Sequence, residues 1–192
     1  MLIRKLFKAE MAHVVPGAYT KRCHHLHGHS YKFELFLRSS KSNSAHMVAD
    51  FKEIKDIGIN DFFDSFDHAV MIGQSDPLSS LAAKINPERH VIVPFIPTAE
   101  MMAKAFFFVC QAILKTQNLS LGEEDVAIDH VLVHETDTGY ASFGLDDLEE
   151  DQFPDIQFHR WIISEGIQKD WKNKTWYTKV LSRLKQPLPG LS

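Results

Sequence analysis

Alternation of apolar and polar residues predicts two long β-strands near the start of the chain. In residues 2–14 the odd positions are mostly apolar, and the face that they form ends in His13. In residues 31–38 the apolar positions again fall on every second residue. A period of two is typical of a strand with one buried face. Extending the second pattern backwards places His27 and His29 on its apolar face.

The rest of the pattern predicts one long helix and two more strands. Apolar positions three and four residues apart after Thr98 predict a mostly buried helix that ends near Gln117. Asp50 can cap a shorter helix before it. Residues 126–135 and 140–144 predict a third and a fourth strand joined by a turn. The order ββααββ favours an α+β fold, an antiparallel sheet with helices on one face.

Two stretches depart from this pattern. Residues 73–97 contain four prolines and one short β-like run, so we expect a long loop or insertion there. After residue 146 an acidic run leads into an aromatic and basic tail with a predicted terminal helix. We therefore expect one domain over residues 1–146 and a C-terminal extension over residues 147–192 that packs on it.

Composition and charge exclude several classes of protein. The chain has 192 residues, of which 44% are hydrophobic and 24% charged, enough for a sizeable core. A net charge of −4 without a basic tract argues against a nucleic-acid partner. We find no signal peptide and no apolar run long enough for a membrane span, and so predict a cytoplasmic protein. Cys23 and Cys110 are expected to be free thiols.

Histidines at the ends of the two predicted strand faces indicate a metal site. A hairpin would bring His13 beside His27 and His29. One histidine on an apolar face is usually a core residue, but three neutral rings with an open fourth position are typical of catalytic zinc. Iron or nickel could bind the same ligands, so the pattern leaves the metal open. His24 and His25 are weaker candidates because they precede the strand.

Cys23 and the pair Asp67–His68 are candidates for proton transfer. Cys23 could be a small buried thiol, a fourth metal ligand that closes the site, or a thiolate activated by a nearby metal and the cations of Lys21 and Arg22. The adjacent Asp67 and His68 could be a surface pair or a relay that activates a thiol. Cys110 lies mid-helix and is expected in the core.

Two glutamates are candidates for substrate binding. Glu135 ends an apolar strand, where an ionised carboxylate usually needs a partner with donor groups. Glu100 lies in the first turn of the predicted long helix. The helix dipole favours a carboxylate there in any case, so the functional interpretation of Glu100 is weaker.

Six motifs, in order along residues 1–145, resemble the 6-pyruvoyl-tetrahydropterin synthase superfamily. They are His13 after Phe7-Lys8-Ala9-Glu10-Met11-Ala12, Cys23-x3-His27-Gly28-His29-x-Tyr31, Met47-Val48-Ala49-Asp50-Phe51, Phe66-Asp67-His68, Pro97-Thr98-Ala99-Glu100 and His134-Glu135-Thr136. The three-residue spacer between Cys23 and His27 resembles the bacterial branch that makes 6-carboxy-tetrahydropterin for 7-deazaguanine (queuosine) synthesis. The biopterin-making branch has a longer spacer.

The resemblance implies a role for each candidate residue. It implies zinc ligands (His13, His27, His29), a catalytic thiol (Cys23) with its relay (Asp67, His68), and anchors for a pterin ring (Glu135, Glu100). It also implies the tunnelling fold (T-fold), in which trimers close into a barrel and two trimers stack as a hexamer with sites at subunit interfaces.

The implied reaction converts 7,8-dihydroneopterin triphosphate to 6-carboxy-5,6,7,8-tetrahydropterin and releases acetaldehyde and triphosphate. Lys21, Arg22 and Lys32 are the candidates for holding the triphosphate. The alternatives are a 6-pyruvoyl-tetrahydropterin synthase and, in another class, a non-catalytic metal- or pterin-binding protein on the same fold.

Overall fold

A seven-stranded mixed sheet, seen in a computed structural model, forms the centre of the protein. The structure describes residues 1–117, 119–120, 125–148 and 156–184. The strands are β1 (Leu2–His13), β2 (His27–Arg38), β3 (Val70–Gly73), β4 (His90–Val93), β5 (Ala127–Thr136), β6 (Gly139–Gly144) and β7 (Ile162–Ile163). Their order across the sheet is β6-β5-β2-β1-β3-β4-β7.

Six helices accompany the sheet within these residues. They are α1 (Phe51–Ile54), α2 (Asn60–Asp64), α3 (Ser79–Ile85), α4 (Ala99–Lys115), α5 (Glu165–Asp170) and α6 (Trp176–Arg183). The Asp50 side chain caps α1 by accepting the N–H groups of Lys52 and Glu53. In the part of the chain that the structure describes, none of the helices has the length and apolar character needed to span a bilayer.

β1 and β2 form the antiparallel pair that the alternation predicts. Their register places His13 opposite His27 and Met11 opposite His29. The odd residues of both strands face the helices, and Phe33 on that face is fully buried. Each strand thus carries its histidines at the same end of the sheet and on the same face.

Residues 73–97 are not the long loop that their prolines suggest. β3 ends in this segment, α3 and β4 follow, and β3 pairs in parallel with both β1 and β4. The sheet is therefore mixed rather than antiparallel, and the element order is not ββααββ. Every residue of β3 and β4 is buried. Such strands show no polar alternation, so the pattern could not reveal them.

Helices cover both faces of the sheet, not one. α4 packs on β5 and β6 and fills the main core, and the Thr98 side chain caps it by accepting the Met101 N–H at 3.2 Å. α3 packs on the opposite face, where Ala82 meets Val70 and Ile72 in a separate cluster. The prediction that helices cover only one face of the sheet was wrong, because α3 lies in the segment that we expected to be a loop or insertion.

The described part of the C-terminal extension packs against α2 and β4. β7 pairs with β4, and the Trp171 indole N–H donates to Ser65 Oγ at 2.8 Å. Trp176, at the start of the predicted terminal helix, is 0% exposed. Residues 149–155, which hold most of the predicted acidic run (Glu149, Glu150, Asp151), and residues 185–192 lie outside the described part.

Candidate metal centre

Three histidines and one glutamate converge at one end of the sheet. One ligand atom from each of His13, His27, His29 and Glu135 lies within 4.8 Å of the others. His13 ends β1, His27 and His29 begin β2, and Glu135 lies near the end of β5. Because β2 pairs with both β1 and β5, the sheet brings the ends of these three strands together, and the four side chains with them.

Backbone carbonyls fix the tautomers of two of these rings. His13 Nδ1 lies 2.8 Å from the carbonyl oxygen of Pro97, and His27 Nδ1 lies 2.8 Å from that of His25. A carbonyl can only accept, so each Nδ1 carries the hydrogen and donates it. In the neutral rings the Nε2 atoms are then bare, and they face each other at 3.1 Å. Two lone pairs at that distance need a cation between or beside them.

His29 and Glu135 add two more groups that a cation at this position would stabilise. His29 Nε2 is buried and makes no hydrogen bond, and burial lowers the pKa of His29 below its usual value. Glu135 Oε1 lies 3.1 Å from His13 Nε2 and 3.2 Å from His29 Nε2. When His13 also carries a proton on Nε2, it donates that proton to Glu135 and lowers the pKa of the carboxyl group below its usual value, so this carboxylate is ionised at neutral pH.

The donor set fits a divalent metal ion. Three imidazole nitrogens and a carboxylate oxygen are ligands suited to zinc, and also to iron or nickel. A proton on His13 Nε2 could be donated to His27 or to Glu135, whereas a divalent ion could bind all four groups. Tyr31 is buried beside them, with its hydroxyl oxygen 3.1 Å from His13 Nε2.

Cys23 lies in a 3₁₀ turn, Lys21–His24, that precedes β2. The Val15 N–H donates to the Cys23 carbonyl at 2.9 Å, which ties this turn to the end of β1. Cys23 is half-buried and lies close enough to Tyr31 to contribute to the raised pKa of that phenol, which burial mainly causes. Lys21 and Arg22 are exposed.

Asp67 and His68 form a hydrogen-bonded pair on a strained turn. His68 Nδ1 lies 3.0 Å from Asp67 Oδ2, and His68 has a φ of 56°, which few non-glycine residues adopt. Burial raises the pKa of Asp67, but the Glu10 N–H, which donates to Oδ1 at 2.8 Å, and the His68 ring outweigh it and hold the pKa low. The ionised Asp67 therefore orients the His68 ring.

This pair lies apart from the histidine cluster. His68 lines an open cavity of about 400 Å³, which His29 of the cluster also borders, together with the even-numbered residues Glu10, Gly28 and Ser30 of β1 and β2. Those residues belong to the sheet face opposite to the one that bears the His13 and His27 rings. Within the described part of the chain, Cys23 does not line this cavity. His68 therefore lies on the sheet face opposite to the histidine rings, and Cys23 lies in the turn before β2, outside the sheet.

The remaining predicted residues lie outside the cluster. Glu100 is exposed in the first turn of α4. Lys32 pairs with Asp137 at 2.6 Å. Cys110 is fully buried inside α4, and burial raises the pKa of its thiol well above the usual value. His24 and His25 are exposed, and only the His25 carbonyl reaches the cluster.

Two contributors to the site carry no signal in the sequence. Both are backbone carbonyls, of Pro97 and of His25, and each orients a histidine ring. Any residue type supplies a carbonyl, so no pattern of residues could have identified them. The fold supplies these contacts, for example by placing residue 97 beside residue 13.

Comparisons with known proteins show similarity over most of the chain. Residues 2–145 match the family model described as 6-pyruvoyl tetrahydropterin synthase. A Helicobacter pylori protein named 6-carboxy-5,6,7,8-tetrahydropterin synthase is 33% identical over 97% of this chain and 94% of its own length. An Aquifex aeolicus protein of the same name is 33% identical over 64% of this chain and 75% of its own.

Solved structures share the fold. An uncharacterised Wolinella succinogenes protein superposes with a TM-score of 0.61 at 24% identity, covering 75% of this chain and 97% of that one. The 6-pyruvoyl tetrahydropterin synthase of Caenorhabditis elegans superposes with a TM-score of 0.53 at 17% identity, covering 75% of this chain and 94% of its own. With the family match over residues 2–145 and the H. pylori relative over nearly the whole chain, this protein belongs to the 6-pyruvoyl tetrahydropterin synthase family.

Proposed function

We propose that this protein is a zinc-dependent lyase that converts 7,8-dihydroneopterin triphosphate to 6-carboxy-5,6,7,8-tetrahydropterin, releasing acetaldehyde and triphosphate. The observation that carries the proposal is the cluster of bare imidazole nitrogens in a family member whose H. pylori relative bears the name of that enzyme. The three-residue spacer between Cys23 and His27 supports the same branch.

The histidine cluster would hold the metal. His13, His27 and His29 supply neutral nitrogens, and two of those rings are already oriented by backbone carbonyls. A bound zinc ion would act as a Lewis acid toward the side-chain oxygens of the substrate and so acidify neighbouring protons. Removing those protons is then the task of the residues around it.

Cys23 is the residue that we propose moves protons at the reacting carbon atoms. The turn that carries it is tied to the end of β1 next to the cluster. His68, oriented by ionised Asp67, would take a proton from the thiol and return it. Because one chain holds His68 on the other sheet face, we propose that Cys23 and His68 meet across two subunits.

A contact between Cys23 and His68 of two subunits requires an oligomer. We propose a barrel of three chains and a hexamer of two stacked barrels, with each site completed by a neighbouring chain. Glu135, and with it Glu100, would bind donor groups of the pterin ring; Glu135 would have to turn from His13 and His29 to do so. A cytoplasmic location and a place in queuosine synthesis belong to the same proposal.

A product assay on the purified protein tests the activity. Incubation with 7,8-dihydroneopterin triphosphate should release acetaldehyde, and Cys23→Ala should abolish that release. Cys110→Ala is the matched control, because this second thiol is buried inside α4, and it should leave the product unchanged. 6-Pyruvoyl-tetrahydropterin as the sole product would favour the alternative synthase. Bound zinc without turnover would show a non-catalytic binding protein.

Mixing two inactive variants tests the shared site. Chains with Cys23→Ala and chains with His68→Ala should each be inactive alone. Co-expressed in one assembly, they should regain part of the activity, because some interfaces then combine an intact Cys23 with an intact His68. If every mixture stays as inactive as the parents, the two residues do not meet across subunits.

A further inference from the structure

The segment before α4 orients a ring of the candidate metal centre. The Pro97 carbonyl accepts the His13 Nδ1–H at 2.8 Å, and Pro97 is buried. A tight turn holds that carbonyl, because the Thr98 N–H donates to Ile96 at 2.8 Å. The direction of His13 Nε2 therefore depends on where residues 94–98 lie.

β3 confines this segment on one side. A Cβ atom built on Gly73 would lie 2.7 Å from the Phe95 carbonyl oxygen, closer than real Cβ atoms come to backbone. The Gln74 N–H donates to the Val93 carbonyl at 2.7 Å, at the end of β4. The segment consequently has no free space on the side of β3.

The C-terminal extension packs against the side chain of Phe95 in this segment. The rings of Trp161 and Phe95 meet edge to face, with centroids 5.7 Å apart, and Trp161 is 3% exposed. The Trp161 indole N–H donates to the Ile156 carbonyl at 2.7 Å. Arg160 exchanges two hydrogen bonds with the Gln74 side chain, at 2.9 and 2.7 Å. The extension thus contacts the same segment that β3 confines.

We propose that the extension positions the metal ligand His13: Trp161 holds Phe95, Phe95 holds the Pro97 carbonyl in place, and that carbonyl sets the His13 ring. Trp161 is a positioning residue in this chain of contacts and does not touch the reacting atoms. The proposal rests on the proposed metal site, and it gives the extension a task beyond stability. Outer contacts of metal-bound histidines typically change metal affinity by about 10- to 100-fold when removed.

The test compares two tryptophans of the extension with matched burial. Trp161→Ala removes the Phe95 contact, whereas Trp171→Ala removes a 5% exposed ring that contacts Ser65 and Trp176 instead. Both variants of the full-length protein are loaded with Zn²⁺ or Co²⁺. Affinity is measured by competition with a chromophoric chelator, coordination by the Co²⁺ visible spectrum, and thermal unfolding separately.

We expect Trp161→Ala to lower Zn²⁺ affinity by about tenfold and to change the Co²⁺ spectrum. Trp171→Ala should lower the melting temperature but leave both metal measurements unchanged. Gly73→Ala adds a Cβ atom that pushes on the Phe95 carbonyl and should lower Zn²⁺ affinity as Trp161→Ala does. It keeps the test valid if Trp161→Ala fails to fold.

Three outcomes would overturn the inference. Wild-type affinity in both Trp161→Ala and Gly73→Ala shows that the segment does not position His13. Equal losses in Trp161→Ala and Trp171→Ala show that the effect is general destabilisation. Failure of the wild-type protein itself to bind Zn²⁺ or Co²⁺ removes the proposed metal site, and the inference with it.

Discussion

Gly58→Ala is the substitution whose effect the structure defines most sharply. Gly58 lies in the turn Lys55–Ile59 between α1 and α2, with a φ of 117°. A Cβ atom there would lie 2.4 Å from the Trp176 Cβ and 2.7 Å from its Cγ. Trp176 of the extension can therefore pack against the helices only because Gly58 has no side chain.

Two costs make up the expected loss. A side chain at that positive φ costs about 1–3 kcal/mol of folding free energy. Overlap with a buried ring that cannot move adds about 1–3 kcal/mol, the usual range for overpacking. We expect a total of about 4 kcal/mol. For a chain of this size that corresponds to a melting temperature about 8–16 °C lower.

Gly17→Ala is the matched control. Gly17 also has a positive φ, 86°, but no atom lies within 4 Å of the Cβ that alanine would add. This substitution should cost about 1 kcal/mol for the backbone alone. Urea and thermal unfolding, followed by tryptophan fluorescence at one fixed protein concentration, measure both variants. The difference between them reports the contact with Trp176 together with the greater backbone strain at the φ of 117°.

Equal losses in the two variants would refute the reasoning. The Trp176 ring would then not pack on Gly58, and the extension would not be seated on the turn between α1 and α2. A loss in Gly58→Ala that exceeds the loss in Gly17→Ala by about 2 kcal/mol or more supports the described packing.

Three further predictions concern the metal centre, an acid-sensitive contact and the core. Affinity for Zn²⁺ should fall as the pH drops below about 6, because histidines that bind a metal must be neutral and protons compete for them. Burial lowers the pKa of one of them, His29, from its usual 6.5. An affinity that stays constant down to about pH 5 would contradict histidine ligation. Hydrogen bonds from Ser39 and Ser40 lower the pKa of Asp125 from 3.8 to about 2 in the folded protein. The ionised Asp125 therefore stabilises the folded protein above the pKa of the unfolded chain, and this stabilisation is lost as the pH falls through the pKa of the folded protein. Asp125→Asn should accordingly flatten the acid unfolding profile between about pH 4 and pH 2, and an unchanged profile would show that other carboxyl groups cause it. Phe106→Ala should lower the free energy of unfolding by about 3–5 kcal/mol, because the 0% exposed ring packs among Phe33, Phe62, Phe63 and Phe66. A loss under about 1 kcal/mol in urea unfolding would mean that neighbouring side chains fill the cavity.

The convergence of the three histidines could be predicted from the sequence. Each strand alternates with a period of two, and its apolar face ends in histidine, so one antiparallel pairing suffices to bring His13 to His27 and His29. The motif around Cys23 and the ordered motifs after it indicated the family. Both signals are local, because they depend on spacing along the chain and not on distant contacts.

β3 and β4 could not be predicted in the same way. Their residues are buried on both sides, and a strand without a solvent face has no alternation to detect. Their parallel pairing changed the sheet from antiparallel to mixed, and α3 between them placed a helix on the second face. The position of His68 on the face opposite to the histidine rings follows from the pairing of β3 with β1.

The sequence by itself determined which histidines form the candidate metal centre and on which strand faces they lie, because the period of a strand is visible in neighbouring residues. Tertiary structure alone decided what holds those side chains. The Pro97 carbonyl on His13 and the Trp161 ring on Phe95 join residues 84 and 66 positions apart. Contacts of that range depend on how the whole chain folds back on itself, and no local pattern encodes them.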